Sequence, residues 1–330
     1  MAASTTAQRL IPGGKIYFDL FDANSNQTGE RYLGLTPGFT ISIKSDKIES
    51  YSAESGLRQL DDQTLVTITR SGKLTVRQIS MENLGMFFAG QSAIAAQSTG
   101  TVSGELVSVL ADRYYQLGDT IANPTGVRSV SAVTVASGTI ATAAISTAYA
   151  LGAQVKPATS PLYAFQCTTA GTSGGSAPTW VNTVGATVTD GTVTWTCIGI
   201  LTPVLSTDYT VDATMGRVYV LPSTASTPAG TARVHPSYSM PWSFGYTKSA
   251  VSREQMLSSG KADVYGALRF IAANAKGANR DVYGVNVLLS PSGDIVFKED
   301  SPKYADLSFD LTFNVGANGE SALIIDGQAY

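Results

Sequence analysis

The sequence predicts a mainly all-β protein with one short α-helix, and three observations predict it. Along 304–315, Leu307, Phe309, Leu311, Phe313 and Val315 point one way and Asp306, Ser308, Asp310, Thr312 and Asn314 the other. That is the period-2 pattern of a strand with one buried face. Shorter alternating runs recur along the chain, set apart by Asn, Gly and Pro turn chemistry. Charged residues make up 14% and hydrophobic residues 43% of 330 positions, with 32 Gly, a balance that buries a core instead of leaving the chain disordered. The length suits about two domains.

Residues 1–14 are small and polar and end in Ile11, Pro12, Gly13 and Gly14. They form an arm that is either disordered or ordered against an adjacent subunit. Over 15–22, Ile16, Phe18 and Leu20 share one face of a strand, and Asn24, Ser25, Asn26 and Gly29 supply the next turn. A strand over 34–43 follows, with Phe39, Ile41 and Ile43 alternating with Thr40, Ser42 and Lys44. Then the alternation stops. Lys44, Asp46, Lys47, Glu49, Glu54, Arg58, Asp61 and Asp62 dominate 44–62, with Tyr51, Leu57 and Leu60 as spaced apolar anchors. Taken as a polar loop, this stretch is far longer than the ~2–5 residues usual in a hairpin, so it is expected to order against a neighbouring copy.

Residues 64–70 and 74–79 are expected to form a hairpin turning at Ser71, Gly72 and Lys73. Ser80 is a fitting N-cap for a helix over 81–89, with Leu84, Phe87 and Phe88 on its apolar face and Gly90 ending it. Strands follow over 104–117 and 128–135, around a turn at Asn123, Pro124, Thr125 and Gly126. A hairpin over 206–221 carries Tyr209, Val211, Val218 and Val220 and turns at 213–216, and 234–330 returns to strands. Between them, 136–203 changes composition: Lys156 and Asp190 are its only charges among abundant Thr, Ala, Gly and Ser. The expected organisation is a discontinuous domain, 1–135 with 204–330, interrupted by a small β-domain at 136–203.

Several chemistries are disfavoured. With a net charge of −3 and a pI near 5.2, the chain has no basic stripe of the kind that grips phosphates. The N-terminal run has no apolar signal-peptide core and no stretch of ~18 apolar residues exists, so a cytoplasmically made protein without a membrane span is expected. His235 is the only histidine; it has no Gly-x-Ser-x-Gly partner motif and too few companions for zinc. The carboxylate neighbours Asp61 with Asp62 and Glu299 with Asp300 lie on turns, unlike a glycosidase pair facing a cleft. The Gly-rich run at 170–175 has no Lys and is no phosphate cradle. No enzyme activity, metal or cofactor is therefore expected. Cys167 and Cys197 are expected as buried free thiols, with a disulfide formed after lysis as the other outcome. Tyr163, Trp180 and Trp195 are candidate glycan contacts, with core packing as the competing role, because small β-modules need aromatics inside.

A resemblance joins these readings. The runs KIYFDLFD (15–22), GERYLGLTPGFTISIKSDKIESYSAESGLRQLDD (29–62), DYTVDATMGRVYVLP (208–222), GALRFIAANAKGANRDVY (266–283) and VLLSPSGDIVFK (287–298) resemble the major tail tube proteins of long-tailed, siphophage-type bacteriophages. The run YAFQCTTAGTSGGSAPTWVNTVGATVTDGTVTWTCIG (163–199) is similar to a small all-β module recurring in phage tail proteins.

The resemblance implies a tail-tube β-barrel or sandwich whose copies join as hexameric rings around a lumen. The rings would stack into the conduit for double-stranded DNA during ejection. It implies that the arm and 44–62 reach the next ring. With the channel kept clear, 136–203 would sit on the outside, and weak, many-copy contact of its loops with host surface glycans is a hypothesis that goes with that position. Implied partners are further copies, a tape measure protein, and tail terminator and baseplate proteins; the implied location is the virion tail, assembled in the host cytoplasm. Asp306, Ser308, Asp310, Thr312 and Asn314 are the candidate lumen-facing set, since a lining that passes DNA should avoid cations. The alternatives are a surface adhesin or carbohydrate-binding protein acting through 163–199, and a secretion-system tube protein.

Overall fold

The structure, a computed structural model, describes residues 9–52, 54, 56–222, 233–258 and 263–327. It is mainly β. From the N-terminus come β1 (Gly14–Leu20), β2 (Arg31–Tyr32), β3 (Gly38–Ser52), β4 (Gln59–Val76), the helix α1 (Met81–Phe87) and β5 (Gln91–Gln97). Next are β6 (Gly100–Val109), β7 (Arg113–Gln116), β8 (Val130–Ser137), β9 (Ala141–Thr142), β10 (Ala148–Tyr149), β11 (Gln154–Lys156), β12 (Tyr163–Thr169), β13 (Gly171–Thr172), β14 (Thr187–Asp190) and β15 (Val193–Ile200). The order closes with β16 (Tyr209–Asp212), β17 (Arg217–Val220), β18 (Met240–Lys248), β19 (Val251–Leu257), β20 (Val264–Ala272), β21 (Arg280–Pro291), β22 (Leu307–Asn314) and β23 (Leu323–Gly327). Two compact units result: Met1–Ala95 with Glu254–Tyr330, and Ala96–Arg253.

The first unit is one sheet in the order β2-β1-β20-β21-β22-β4-β3, with β23 also paired to β21. Its core follows the alternation. Ile16 and Phe18 of β1, Leu74 and Val76 of β4, and Leu307, Phe309, Leu311 and Phe313 of β22 are buried on one face. Val315, expected with them, is exposed because β22 has ended at Asn314. Although β1 and β3 stand near opposite ends of the sheet, Gly14 and Ile16 of one and Phe39 and Ile41 of the other line a single cleft of about 750 Å³. The sheet therefore curls around its apolar face and stays open between those strands. Residues 9–14 of the expected arm run against the same chain, with Ile11 N–H donating to Lys276 O at 2.9 Å and Gly13 N–H to Asn274 Oδ1 at 3.2 Å; residues 1–8 lie outside the described residues.

Helix α1 forms as its caps predict. Ser80 Oγ accepts from Asn83 N–H at 3.2 Å, and Leu84, Met86 and Phe87 enter the core, the Phe87 ring meeting Phe309 edge-on at 5.8 Å. The C-terminus differs from expectation. Ala89, at φ 46°, takes the left-handed position, and Gly90 N–H reaches back to Gly85 O at 2.7 Å, as in a Schellman ending. Gly90 is needed for space instead, because a Cβ there would lie 2.5 Å from Leu257 O.

Two expectations in this unit are corrected. No hairpin turns at Ser71, Gly72 and Lys73: β4 runs straight through them, with Gly72 between Ile41 of β3 and Leu311 of β22. Gly72 fits there because a Cβ would meet Thr40 O at 2.6 Å and the Phe313 ring at 3.2 Å. The second correction is larger. The stretch 44–62 is no loop, because β3 and β4 pair from Gly38 with Thr75 to Ser52 with Gln59 as one long ribbon. A bulge between Asp46 and Lys47 shifts the register opposite Leu65 to Thr67, which strengthens the local twist.

The second unit holds three-stranded sheets β6-β18-β8 and β16-β17-β7, and the sheet β14-β15-β12-β11-β9 beside the pair β10-β13. The expected hairpin is present as β16 and β17, turning between Asp212 and Arg217. The unit border differs from the expected domain borders at 135/136 and 203/204. Strands β12 and β15 serve two cores. Phe165, Cys167, Trp195 and Cys197 fill the core of the small module, whereas Ala164 and Ile198 join the cluster around Trp242, Phe244 and Val218.

Candidate assembly surface

The residues named over 44–62 come together on the outer part of the β3–β4 ribbon and its tip. Their contacts are local. Lys44 Nζ lies 3.4 Å from Asp46 Oδ1, and Lys47 Nζ reaches Gln63 Oε1 at 3.3 Å. Gln63 Nε2 donates to Glu49 Oε1 at 3.0 Å, and Tyr51 donates to Glu49 Oε2 at 2.5 Å. That hydrogen bond raises the Tyr51 pKa, while the Arg58 guanidinium sits 4.6 Å from the Tyr51 ring centre. Asp62 Oδ1 accepts its neighbour's N–H from Gln63 at 2.8 Å. Asp61 is exposed, as is Glu54 at the tip, between Ala53 and Ser55, which lie outside the described residues.

Apolar side chains on this ribbon are uncovered. Ile43 is 65% exposed, Ile48 66% and Leu57 72%, and Leu60, Leu65, Val66 and Ile68 are exposed as well. A two-stranded ribbon in water is at best marginally stable by itself. Bare aliphatic groups in a contiguous stretch mark a surface that another molecule covers. Sequence reasoning named Tyr51, Leu57 and Leu60, passed over Ile48, and read Leu65, Val66 and Ile68 as part of a strand without assigning them to this surface; the absence of any alternating polar face over 64–68 was the available signal.

The candidate lumen set lies on the polar face of β22, where Ser308, Thr312 and Asn314 are half-buried and Asp310 is exposed. One of its two carboxylates is in an ion pair. Arg77 Nε donates to Asp306 Oδ1 at 2.8 Å and a second guanidinium nitrogen to Oδ2 at 3.1 Å; this bidentate bond lowers the Asp306 pKa and raises that of Arg77. Asp310 stands opposite exposed Lys73 in the register, which places both side chains on one face. The face is thus polar and close to neutral in net charge, with two cations, Arg77 and Lys73, on a side from which the sequence reading excluded them.

The aromatics proposed for glycan stacking are turned inward. Trp195 is 0% exposed, and its indole N–H points to Asp190 Oδ2 at 3.3 Å. Trp180 packs on Phe165 with ring centres 4.4 Å apart, and Tyr163 is half-buried against the same cluster. All three pack in the module's core; Trp195 offers no face to a sugar, while Tyr163 and Trp180 remain partly exposed.

Cys167 and Cys197 are buried and free; Cys167 lies opposite Trp195 and Cys197 opposite Phe165 in the register. Burial pushes the Cys197 thiol up to about 12 and raises Cys167 too. His235 Nδ1 accepts N–H groups of Ser237 at 2.9 Å and Tyr238 at 3.1 Å, and burial lowers its pKa. It shapes a turn. Among the described residues no group of three or more His, Cys, Asp or Glu is placed to hold a metal ion, and no helix is long and apolar enough to cross a membrane.

A buried knot fixes the base of the sheet beside α1. Asn83 Oδ1 accepts from Arg31 at 2.8 Å, and its amide donates to Leu33 O at 3.1 Å and Gln78 O at 2.8 Å. Burial lowers the Arg31 pKa.

Residues 10–160 match a protein family described as "Protein of unknown function UCP028589", which covers less than half of the chain. The match includes all of the β3–β4 ribbon and continues into the second unit as far as the 136–203 segment. No curated protein matches the chain.

Proposed function

We propose that this chain is a structural subunit that polymerises with its own copies into a phage tail tube, the conduit for double-stranded DNA during ejection. The observation that carries the reading is the β3–β4 ribbon, uncovered on both faces and rich in bare aliphatic groups. A subunit with open strand edges either hides them or pairs them with other copies. Repeated heterologous contacts give rings where the rotation closes and open tubes where it does not. Hexameric rings, and partners at the tube ends and inside it, follow from the resemblance in the sequence.

A polar and nearly neutral face on β22 suits passage of DNA: Asp306 and Asp310 offset the nearby Arg77 and Lys73, whereas an excess of cations would gain affinity by releasing counterions from phosphate. In this reading Asp306, Ser308, Asp310, Thr312 and Asn314 line the channel. The carbohydrate-binding alternative loses one of its three stacking rings with Trp195 in the core.

The experiment is negative-stain microscopy of the wild-type chain beside a shortened ribbon, in which Lys44 and Thr69, partners in the register, are joined by an Asn-Gly turn. The wild type should form rings or tubes and the shortened chain folded monomers. Wild-type protein that stays monomeric at every concentration, or a shortened chain that builds tubes unimpaired, overturns the reading.

A further inference from the structure

The cleft left where the curled sheet stays open has a floor of Ile16, Phe39, Ile41 and Phe270, and Arg9 and Arg280 stand among its lining. Among the described residues neither arginine is in an ion pair. The outer end of the ribbon has the opposite character. Glu49, Glu54, Asp61 and Asp62 face one basic group, Arg58, across 49–62, and Tyr51, Leu57 and Leu60 are exposed there. One surface is apolar with two cations, and the other is apolar with an excess of carboxylates.

The two cannot meet within one chain. Ile41 lines the cleft and lies near the start of the ribbon. From Ile41 to Ser52 the strand advances by about 36 Å at ~3.3 Å per residue, directed away from the cleft along a paired ribbon. Resting on the assembly reading above, we propose that the cleft receives the ribbon tip of a second copy of this chain, with Asp61 and Asp62 brought to Arg9 and Arg280. Donor and acceptor are then different surfaces of one subunit. Such a contact never caps itself, so each added copy presents a fresh tip and a fresh cleft.

The test is a crosslink between two full-length chains. Leu57→Cys places a thiol on the exposed tip and Ala278→Cys one on the cleft wall; the native thiols are buried, and Cys197 has its pKa pushed to about 12, so a short bis-maleimide acts on the new sites. The mixture of the two variants should give a crosslinked dimer under assembling conditions, and neither variant alone should. In parallel, Arg9→Glu with Arg280→Glu should abolish assembly, and adding Asp61→Arg and Asp62→Arg to the same chain should restore it.

Tubes or rings without the crosslink, or with full assembly by the Arg9→Glu, Arg280→Glu chain, overturn this inference, leave the tube reading standing and give the cleft another occupant, such as a small anion. A crosslinked, charge-dependent chain of copies that forms no ring or tube keeps the inference and removes the tube. Wild-type protein that neither assembles nor crosslinks removes both.

Discussion

Ala89 shows how a single backbone angle sets a local cost. It holds φ 46° at the end of α1, a region where a Cβ is unfavourable and glycine is not. Ala89→Gly should therefore stabilise the protein by about 0.5–1 kcal/mol, read as a higher denaturation midpoint; an unchanged or lower midpoint would show that the strain lies elsewhere. Asp306 carries a pH signature. Its pKa is depressed by the hydrogen bonds from Arg77, so its contribution is complete at neutral pH and is lost as pH falls through the lowered value. Denaturant midpoints of the wild type and Asp306→Asn should differ at neutral pH and converge in acid. A gap that persists in acid would assign the effect to packing.

At the scale of elements, the sheet is held by close approach as much as by side-chain burial. Gly72 lets β4 pass between β3 and β22 where Thr40 O leaves no room for a methyl group. Gly72→Ala should cost roughly 1–3 kcal/mol through overpacking, measured by chemical denaturation, and a neutral result would mean the strands separate easily there. Strand β22 was legible at once, because Leu307 to Phe313 alternate against a solvated face. The outer ribbon was legible only over 64–70. Alternation is a record of one face being buried, and with both faces of 44–62 open to solvent its residues keep no period to read. The same limit hid the continuity of β4, where Ser71, Gly72 and Lys73 have the composition of a turn and sit in mid-strand.

On the scale of the whole molecule, folding and assembly occupy separate surfaces. The ribbon beyond Lys44 and Thr69 contributes none of the buried residues in the core of the first unit, so the shortened-ribbon chain should keep the wild-type denaturation midpoint while losing assembly. A large drop in midpoint would mean that the ribbon supports its own sheet. The candidate site was half-legible in the same sense. Its charged residues and three anchors could be named from 44–62, but the cleft lined by Arg9, Phe39 and Arg280 joins residues far apart in the chain and has no local pattern.

Composition and alternation alone determined that this is a mainly β protein, with strands at β1, β16, β17 and β22 and a capped helix after Ser80, because each of those signals arises between residues a few positions apart. Tertiary structure alone decided that the polar stretch is a ribbon, that Gly72 lies inside a strand, that Trp195 is core, and that the first sheet curls to leave a cleft. Those outcomes depend on which distant strands lie side by side, and the energy of such meetings is written in the pairing of the strands and not in any one of them.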